Sequence, residues 1–249
     1  TEVPEPDAVY RARSSELRLL AGVRADLAPG AAVHLDVGYA RFDAETNAGT
    51  LVADVEPYGY GTFDLLEFEA AARVDRRDVA WRPRSGWLVD VGVGASPAAL
   101  DVSDAFGWFD AEAAAYVSSE SLPFRPTLAA RAQGRHVMGS SPYFAAASLG
   151  GAGSLRGFRN QRFLGDTSVS GSLELRGSFG RFFLLFPGEI GFLALVDAGR
   201  VWLDGASPGD THRAIGGGIW ISLVDQFSGT LALADGEELG IYASLGLPF

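Results

Sequence analysis

Leu239 to Phe249 reads LGIYASLGLPF. Leu239, Ile241, Ala243, Leu245, Leu247 and Phe249 fall on every second position, with Gly240, Tyr242, Ser244, Gly246 and Pro248 between them. Period two with one wholly apolar face is the pattern of a β-strand, and here it runs to the last residue. In water such a strand is an open apolar edge and an aggregation hazard. A sheet closed into a barrel within a bilayer removes the edge and gives the apolar face a matching environment. The competing assignment for this segment is the last strand of a soluble sheet.

The same alternation recurs upstream. Leu17, Leu19, Ala21, Val23, Ala25 and Leu27 share one face against Arg18, Gly22, Arg24 and Asp26. Leu66, Phe68, Ala70, Ala72 and Val74 oppose Glu67, Glu69, Arg73 and Asp75; Trp87, Val89, Val91 and Val93 oppose Asp90, Gly92 and Gly94. Further runs centre on Val33 to Tyr39, Phe109 to Val117, Leu128 to Ala132 and Val169 to Leu175. A sandwich would alternate too, with its polar face toward bulk water. Three features favour the barrel: polar faces that mix both charge signs with glycines, apolar faces almost free of charge, and short turns alternating with long loops. Pro29-Gly30, Arg82 to Ser85, Ser119 to Pro123 and Asp225 to Ser228 are the short turns; Asp43 to Thr62 and Val137 to Asp166 are the long loops.

The expected fold is all-β, an antiparallel transmembrane β-barrel of about 12 strands. They lie at roughly 8–13, 16–28, 31–43, 62–78, 86–97, 107–118, 125–137, 167–179, 189–203, 212–224, 228–235 and 238–249. The first depends on a poor turn at Ser14-Ser15, and Tyr10 to Ala28 could instead be one long strand. Residues 1–7, rich in Pro and acid, read as a linker from an upstream domain, and residues 8–249 as the barrel. The count is expected to be even if both ends of the barrel lie on one side of the membrane.

Composition narrows the function. The chain has 249 residues, 47% hydrophobic, with 32 Gly, no Cys and a formal charge of −11. That suits one sandwich or barrel and excludes thiol chemistry. The acidic balance argues against a nucleic-acid partner. No run approaches the ~18 consecutive apolar residues of a membrane helix, which leaves a strand-built membrane protein open. The start of the chain has neither the basic nor the apolar region of a signal peptide.

The long segment from Val137 to Asp166 contains GGAGSLRGF, Gly150 to Phe158. With VDRRDVAWRPRSG (Val74 to Gly86), LVDAGRVW (Leu195 to Trp202) and GGGIWIS (Gly216 to Ser222), in that order along the chain, it resembles the C-terminal barrel of the bacterial outer-membrane assembly and secretion superfamily. That family includes BamA-type insertases, two-partner secretion transporters and patatin-linked barrels, and a surface antigen group. The end of the chain resembles the C-terminal assembly signal of outer-membrane barrels, carried here by Tyr242, Leu245, Leu247 and Phe249.

The resemblance implies that the long loop folds into the lumen, with Arg156, Gly157 and Phe158 as its motif and with Arg156 paired to acids of the wall. Glu174 and Asp197 lie on faces read as lumenal and are the expected partners. Guanidinium binds carboxylate bidentately, and a partly dry lumen strengthens the pair. Read from the residues alone, Arg156 could equally sit in a solvated loop. The family barrel has about sixteen strands; a count of 16 here would require strands upstream of Thr1. The usual periplasmic domains that receive clients are not represented in this chain.

The leading function is a module for protein insertion or translocation in the bacterial outer membrane, with lipid, the barrel-assembly machinery and a client polypeptide as partners. A passive barrel anchor or small pore carrying another domain is the second reading. A barrel hydrolase, built on Asp210-Thr211-His212 with Ser207, is the third, and is set aside because that segment reads as an extracellular turn. His34, His136 and His212 are not spaced as a metal site, so no metal and no cofactor are expected. Trp87, Trp108, Trp202, Phe179, Phe182, Phe183 and Phe186 lie near strand ends, as interfacial girdle aromatics would.

Overall fold

The computed structural model describes residues 14–44, 51–183, 185–204, 209–224 and 227–247. The 1–7 linker, the proposed 8–13 strand, Ser207 and Phe249 lie outside the described residues.

Strands β1 (Ser14–Ala28), β2 (Ala31–Ala44), β3 (Thr62–Asp75), β4 (Gly86–Ser96), β5 (Phe106–Ser118) and β6 (Thr127–Met138) form an antiparallel meander. It continues through β9 (Thr167–Phe183), β10 (Pro187–Trp202), β11 (His212–Leu223), β12 (Phe227–Asp235) and β13 (Leu239–Leu245) into one eleven-stranded sheet. Between β6 and β9, the segments β7 (Ala147–Leu149) and β8 (Phe163–Gly165) pair as a separate two-stranded ribbon. The one described α-helix, α1 (Leu51–Val55), is far too short to cross a membrane.

The alternating stretches form strands because β-branched and aromatic residues suit a pleated surface and successive side chains point to opposite faces. The convex face carries exposed apolar side chains, among them Phe68, Val93, Leu173, Ile215 and Ile219, each 48–64% exposed. The concave face carries the acids, arginines and small residues. Register is continuous from β2 through β6, with Ala71 opposite Gly92, Gly92 opposite Asp110 and Asp110 opposite Arg135. A row of inward positions therefore runs around the wall.

The sheet curls, and among the described residues it does not close. Among the described residues nothing pairs with the outer edge of β1 or of β13. Eleven antiparallel strands make β1 and β13 run in the same direction, so direct closure between them would be parallel. Ser14 and Ser15 pair with Ala44 and Asp43 inside β1. The expected turn there is absent: both residues belong to the ladder of β1, and what precedes Ser14 lies outside the described residues. The strand near the C-terminus is also shorter than expected. Gly246 adopts φ +91 and donates its N–H to the Ser228 carbonyl, which ends β13 at Leu245 and turns Leu247 away from the outer face.

The concave side is not uniformly polar. At the loop-bearing end Phe63, Leu65, Phe106, Trp108 and Val137 are buried together with Val102, and Phe144 of the long loop packs against them. Trp108, expected at the outer rim, is 4% exposed and lies on the inner face with the Arg135 guanidinium 5.4 Å from its ring. Inward positions near strand ends became apolar because loops, not water, cover them. The β9–β10 hairpin is longer than expected, reaching Phe183 and resuming at Pro187, with a register shift at Ile190/Gly191 that accommodates Phe179.

Candidate functional site: the lumen loop and its anchors

Glu174 on β9 and Asp197 on β10 occupy inward positions of neighbouring strands; Leu195, two residues before Asp197, is the register partner of Glu174. Both are completely shielded, at 0% and 1% exposure. Two buried carboxylates on adjacent strands repel and demand a cation. The cation comes from the loop between β6 and β9.

Glycines shape that loop. Gly150 and Gly151 have φ +125 and +86, and the chain folds back so that Leu155 N–H bonds the Gly151 carbonyl at 3.1 Å. Ser154 closes the turn, its Oγ accepting from the Gly150 N–H at 2.9 Å. The Gly153 carbonyl accepts from Arg131 Nη1 and Gln133 Nε2 of β6 at 2.9 and 2.8 Å, which fixes the tip to the wall. Leu155 is buried with Leu149, Phe158 and Ala214. This small apolar core drives the loop inward; the polar bonds set its position.

Arg156 then lies between the two acids, 4% exposed. Its Nε and Nη2 donate to the two oxygens of Asp197 at 2.7 Å each, a bidentate pair, and its Nη1 donates to Glu174 Oε1 at 2.5 Å. The Arg156 backbone N–H adds a bond to Asp197 at 3.2 Å. The other oxygen of Glu174 accepts from Arg176 Nε at 2.9 Å. The geometry thus joins Arg156, Glu174 and Asp197, the three residues singled out from sequence. It also adds Arg176, which lies two residues from Glu174 on the same inward face.

Asp197 and Gly199 of LVDAGRVW do separate work. Asp197 holds the arginine, whereas a side chain at Gly199 would come within 2.6 Å of Leu149. The glycine makes room for the loop core, and the Asp-x-Gly spacing places both on the inner face.

Gly157, named above only as part of the loop motif, is a junction. Its φ is +82, and a Cβ there would lie 2.6 Å from the Gly236 nitrogen. Its N–H donates to Tyr242 Oη at 2.7 Å, and its carbonyl accepts from the N–H groups of Glu237 and Glu238 at 2.9 and 3.0 Å. Arg162 pairs with Glu237 at 2.6 Å and Arg159 with Glu238 at 3.3 Å. The loop is therefore tied to the β12–β13 hairpin, next to the open edge. Arg162 beside Glu237 holds that carboxyl below its ordinary range. Phe158 packs at 5.7 Å from Phe163, which stacks on His212 at 3.8 Å. That stacking makes His212 part of the packing around Phe158 and Phe163.

Tyr242 was grouped with the C-terminal signal, but its hydroxyl serves the loop. Its inward parity within LGIYASL was the available clue. Leu245 is 98% exposed on the convex side, and the Leu247 N–H bonds the Trp81 carbonyl at 3.1 Å.

The rest of the concave wall is a field of paired charges: Arg73–Asp90 at 3.1 Å, Arg131–Glu112 at 2.7 Å and Arg135–Asp110 at 3.2 Å. Asp90, Asp110, Glu112 and Arg135 of these pairs border a cavity of about 420 Å³ beside the loop. A second cavity, of about 530 Å³, is bounded by Arg131, Gly153 and Arg156 on one side and by Ile241, Tyr242, Ser244 and Leu245 on the other. It includes residues from both faces of β13 and so reaches around the free edge.

A family model described as the Omp85 superfamily domain matches residues 8–223. The chain belongs to the Omp85 superfamily. Among solved structures, it is similar to the crystal structure of BamA from Haemophilus ducreyi lacking POTRA domains 1-3, with a TM-score of 0.67 and 13% identity over 94% of this chain and 55% of that one. The Omp85 chain thus spans about half the length of the BamA structure it matches, and the likeness at that identity is one of fold. No curated protein matches the sequence.

Proposed function

We propose that this chain is the outer-membrane β-barrel part of a protein that inserts or translocates other polypeptides, with the Arg156-Gly157-Phe158 loop packed in its lumen. The convex apolar face meets lipid, and the end bearing the short turns faces the periplasm. The observation that carries the reading is the seam left unpaired among the described residues. The free edges of β1 and β13 run in the same direction, and the cavity reaching around β13 joins that edge to the lumen. An extended segment entering from the periplasmic end runs antiparallel to both edges, the more favourable pairing. Main-chain bonding of this kind needs no particular client sequence. In the same reading the C-terminal residues, Phe249 included, are recognised by the barrel-assembly machinery. A strand upstream of β1 could close the barrel and make the count even.

The test is reconstitution. Liposomes carrying the purified chain are mixed with a urea-unfolded outer-membrane barrel, and folding of that client is followed by its heat-dependent gel shift and protease resistance. The expected result is folding several times faster than on empty liposomes. Equal rates would sink the insertase reading and leave the second one, a passive anchor or small pore. That alternative is favoured by the charged, 420 Å³ lumen cavity, and ion conductance would reveal it.

A further inference from the structure

The turn between β3 and β4, residues 76–85, does not stay on its own side of the sheet. Asp78 shapes it: Oδ1 accepts from the N–H groups of Val79, Arg84 and Ser85 at 2.9, 3.0 and 3.2 Å. Arg77 Nη1 donates to the Ala80 carbonyl at 3.3 Å. So braced, the tip Trp81-Arg82-Pro83 reaches across the concave mouth to the far wall. Arg82 Nη1 pairs with Glu189 of β10 at 2.6 Å, and its guanidinium lies 5.8 Å from the Trp220 ring of β11. Glu189 is 5% exposed and is also held by Arg125 and by Ser178 Oγ. The Trp81 carbonyl accepts from the Leu247 N–H at 3.1 Å and from Ser228 Oγ at 3.4 Å. Pro83 is fully buried, and only about 20 Å³ of free space remains around Arg82, Arg125, Arg176 and Glu189.

We propose that this turn is a built-in strap that seals the periplasmic mouth of the lumen and clamps the end of the unpaired strand β13. The proposal rests on the membrane-barrel reading above. Two different walls, β10–β11 and β12–β13, are joined to a turn that belongs to neither. A turn whose only task was to connect β3 to β4 would need neither a buried ion pair on β10 nor a carbonyl bonded beyond β13. Because no described strand lies on the outer side of β13, contacts to its end take the place of ladder bonds there. The lumen cavities of 420 and 530 Å³ then end on a floor rather than opening straight into the periplasm.

The test uses the full chain refolded into planar bilayers. Wild type is compared with Arg82→Ala and with a variant in which Val79 to Arg84 is replaced by Gly-Ser-Gly. Heat-dependent gel mobility establishes separately that each variant forms a barrel, so failure of the membrane reading is distinguishable from failure of the strap. The expected result is small wild-type conductance, a severalfold rise in Arg82→Ala and a larger rise in the excised variant. Amide exchange at Leu247 should speed up at least tenfold in both. A heat-modifiable excised variant with unchanged conductance and unchanged Leu247 exchange would overturn the proposal, as would a wild type that already conducts at the level of the excised variant.

Discussion

Replacing Arg156 by alanine should release the lumen loop, and the structure says which acid will suffer. Three side-chain bonds vanish, two to Asp197 at 2.7 Å and one to Glu174 at 2.5 Å. Glu174 keeps Arg176 at 2.9 and 2.8 Å. Among the described residues Asp197 keeps only the residue-156 backbone N–H at 3.2 Å while remaining 1% exposed. Removing one partner of a buried pair typically costs about 3–5 kcal/mol, because the remaining charge is desolvated and unanswered. At 1.4 kcal/mol per decade, the released population should rise by roughly 100- to 4,000-fold. Limited trypsin digestion of folded protein reads that population at Arg159 and Arg162, since cleavage requires the loop to leave the wall. Adding Asp197→Asn should restore much of the protection, whereas adding Glu174→Gln should restore little. If Glu174→Gln is the better rescuer, or if Arg156→Ala is cut no faster than wild type, the assignment of Asp197 as the dependent partner is wrong.

Adjacent residues of β4 should respond oppositely to the same side chain: Val91→Arg, on the convex face, should cost about 2–4 kcal/mol near the bilayer midplane. Gly92→Arg, which would enter the 420 Å³ cavity beside Glu69, Asp90 and Asp110, should be close to neutral; chemical unfolding of refolded protein measures both. Tyr242→Phe removes the acceptor of the Gly157 N–H and should cost about 0.5–1.5 kcal/mol, seen as faster exchange of the Gly157 amide without loss of the barrel. Glu237 has a lowered pKa through Arg162. Its contribution is present above the ordinary glutamate pKa of about 4.3 and is lost as pH falls through the lower folded value. Trypsin-independent loop release, followed by a fluorophore at the loop, should therefore rise only in that acidic window, and the rise should be absent in Glu237→Gln.

Local pattern revealed much of this architecture because alternation of side chains is a local property. The strand pattern followed from Leu17 to Leu27, Leu66 to Val74 and their counterparts with errors of a few residues. Arg156 stood out through the resemblance of GGAGSLRGF to the family's loop motif, and Glu174 and Asp197 had inward parity. What stayed hidden depends on contacts remote in sequence. Nothing local says that the carbonyl of Trp81 will meet the N–H of Leu247, or that Arg82 will reach Glu189. Trp108 looked like a rim aromatic because its parity was read against water, before the long loop was known to cover it. Tyr242 carried the right parity but was absorbed into the apolar run around it.

The shared direction of β1 and β13 also bears on how copies of this chain meet one another. In the membrane reading proposed above, inserted molecules all point the same way, so any described edge of one copy meets any described edge of another in parallel. Parallel ladders are slightly weaker per residue than antiparallel ones. An odd described count of eleven therefore disfavours edge-to-edge fusion of neighbours while leaving each edge available to a chain that arrives reversed. Orientation in the bilayer supplies a selectivity that in a soluble sheet would need charged or proline-blocked edges.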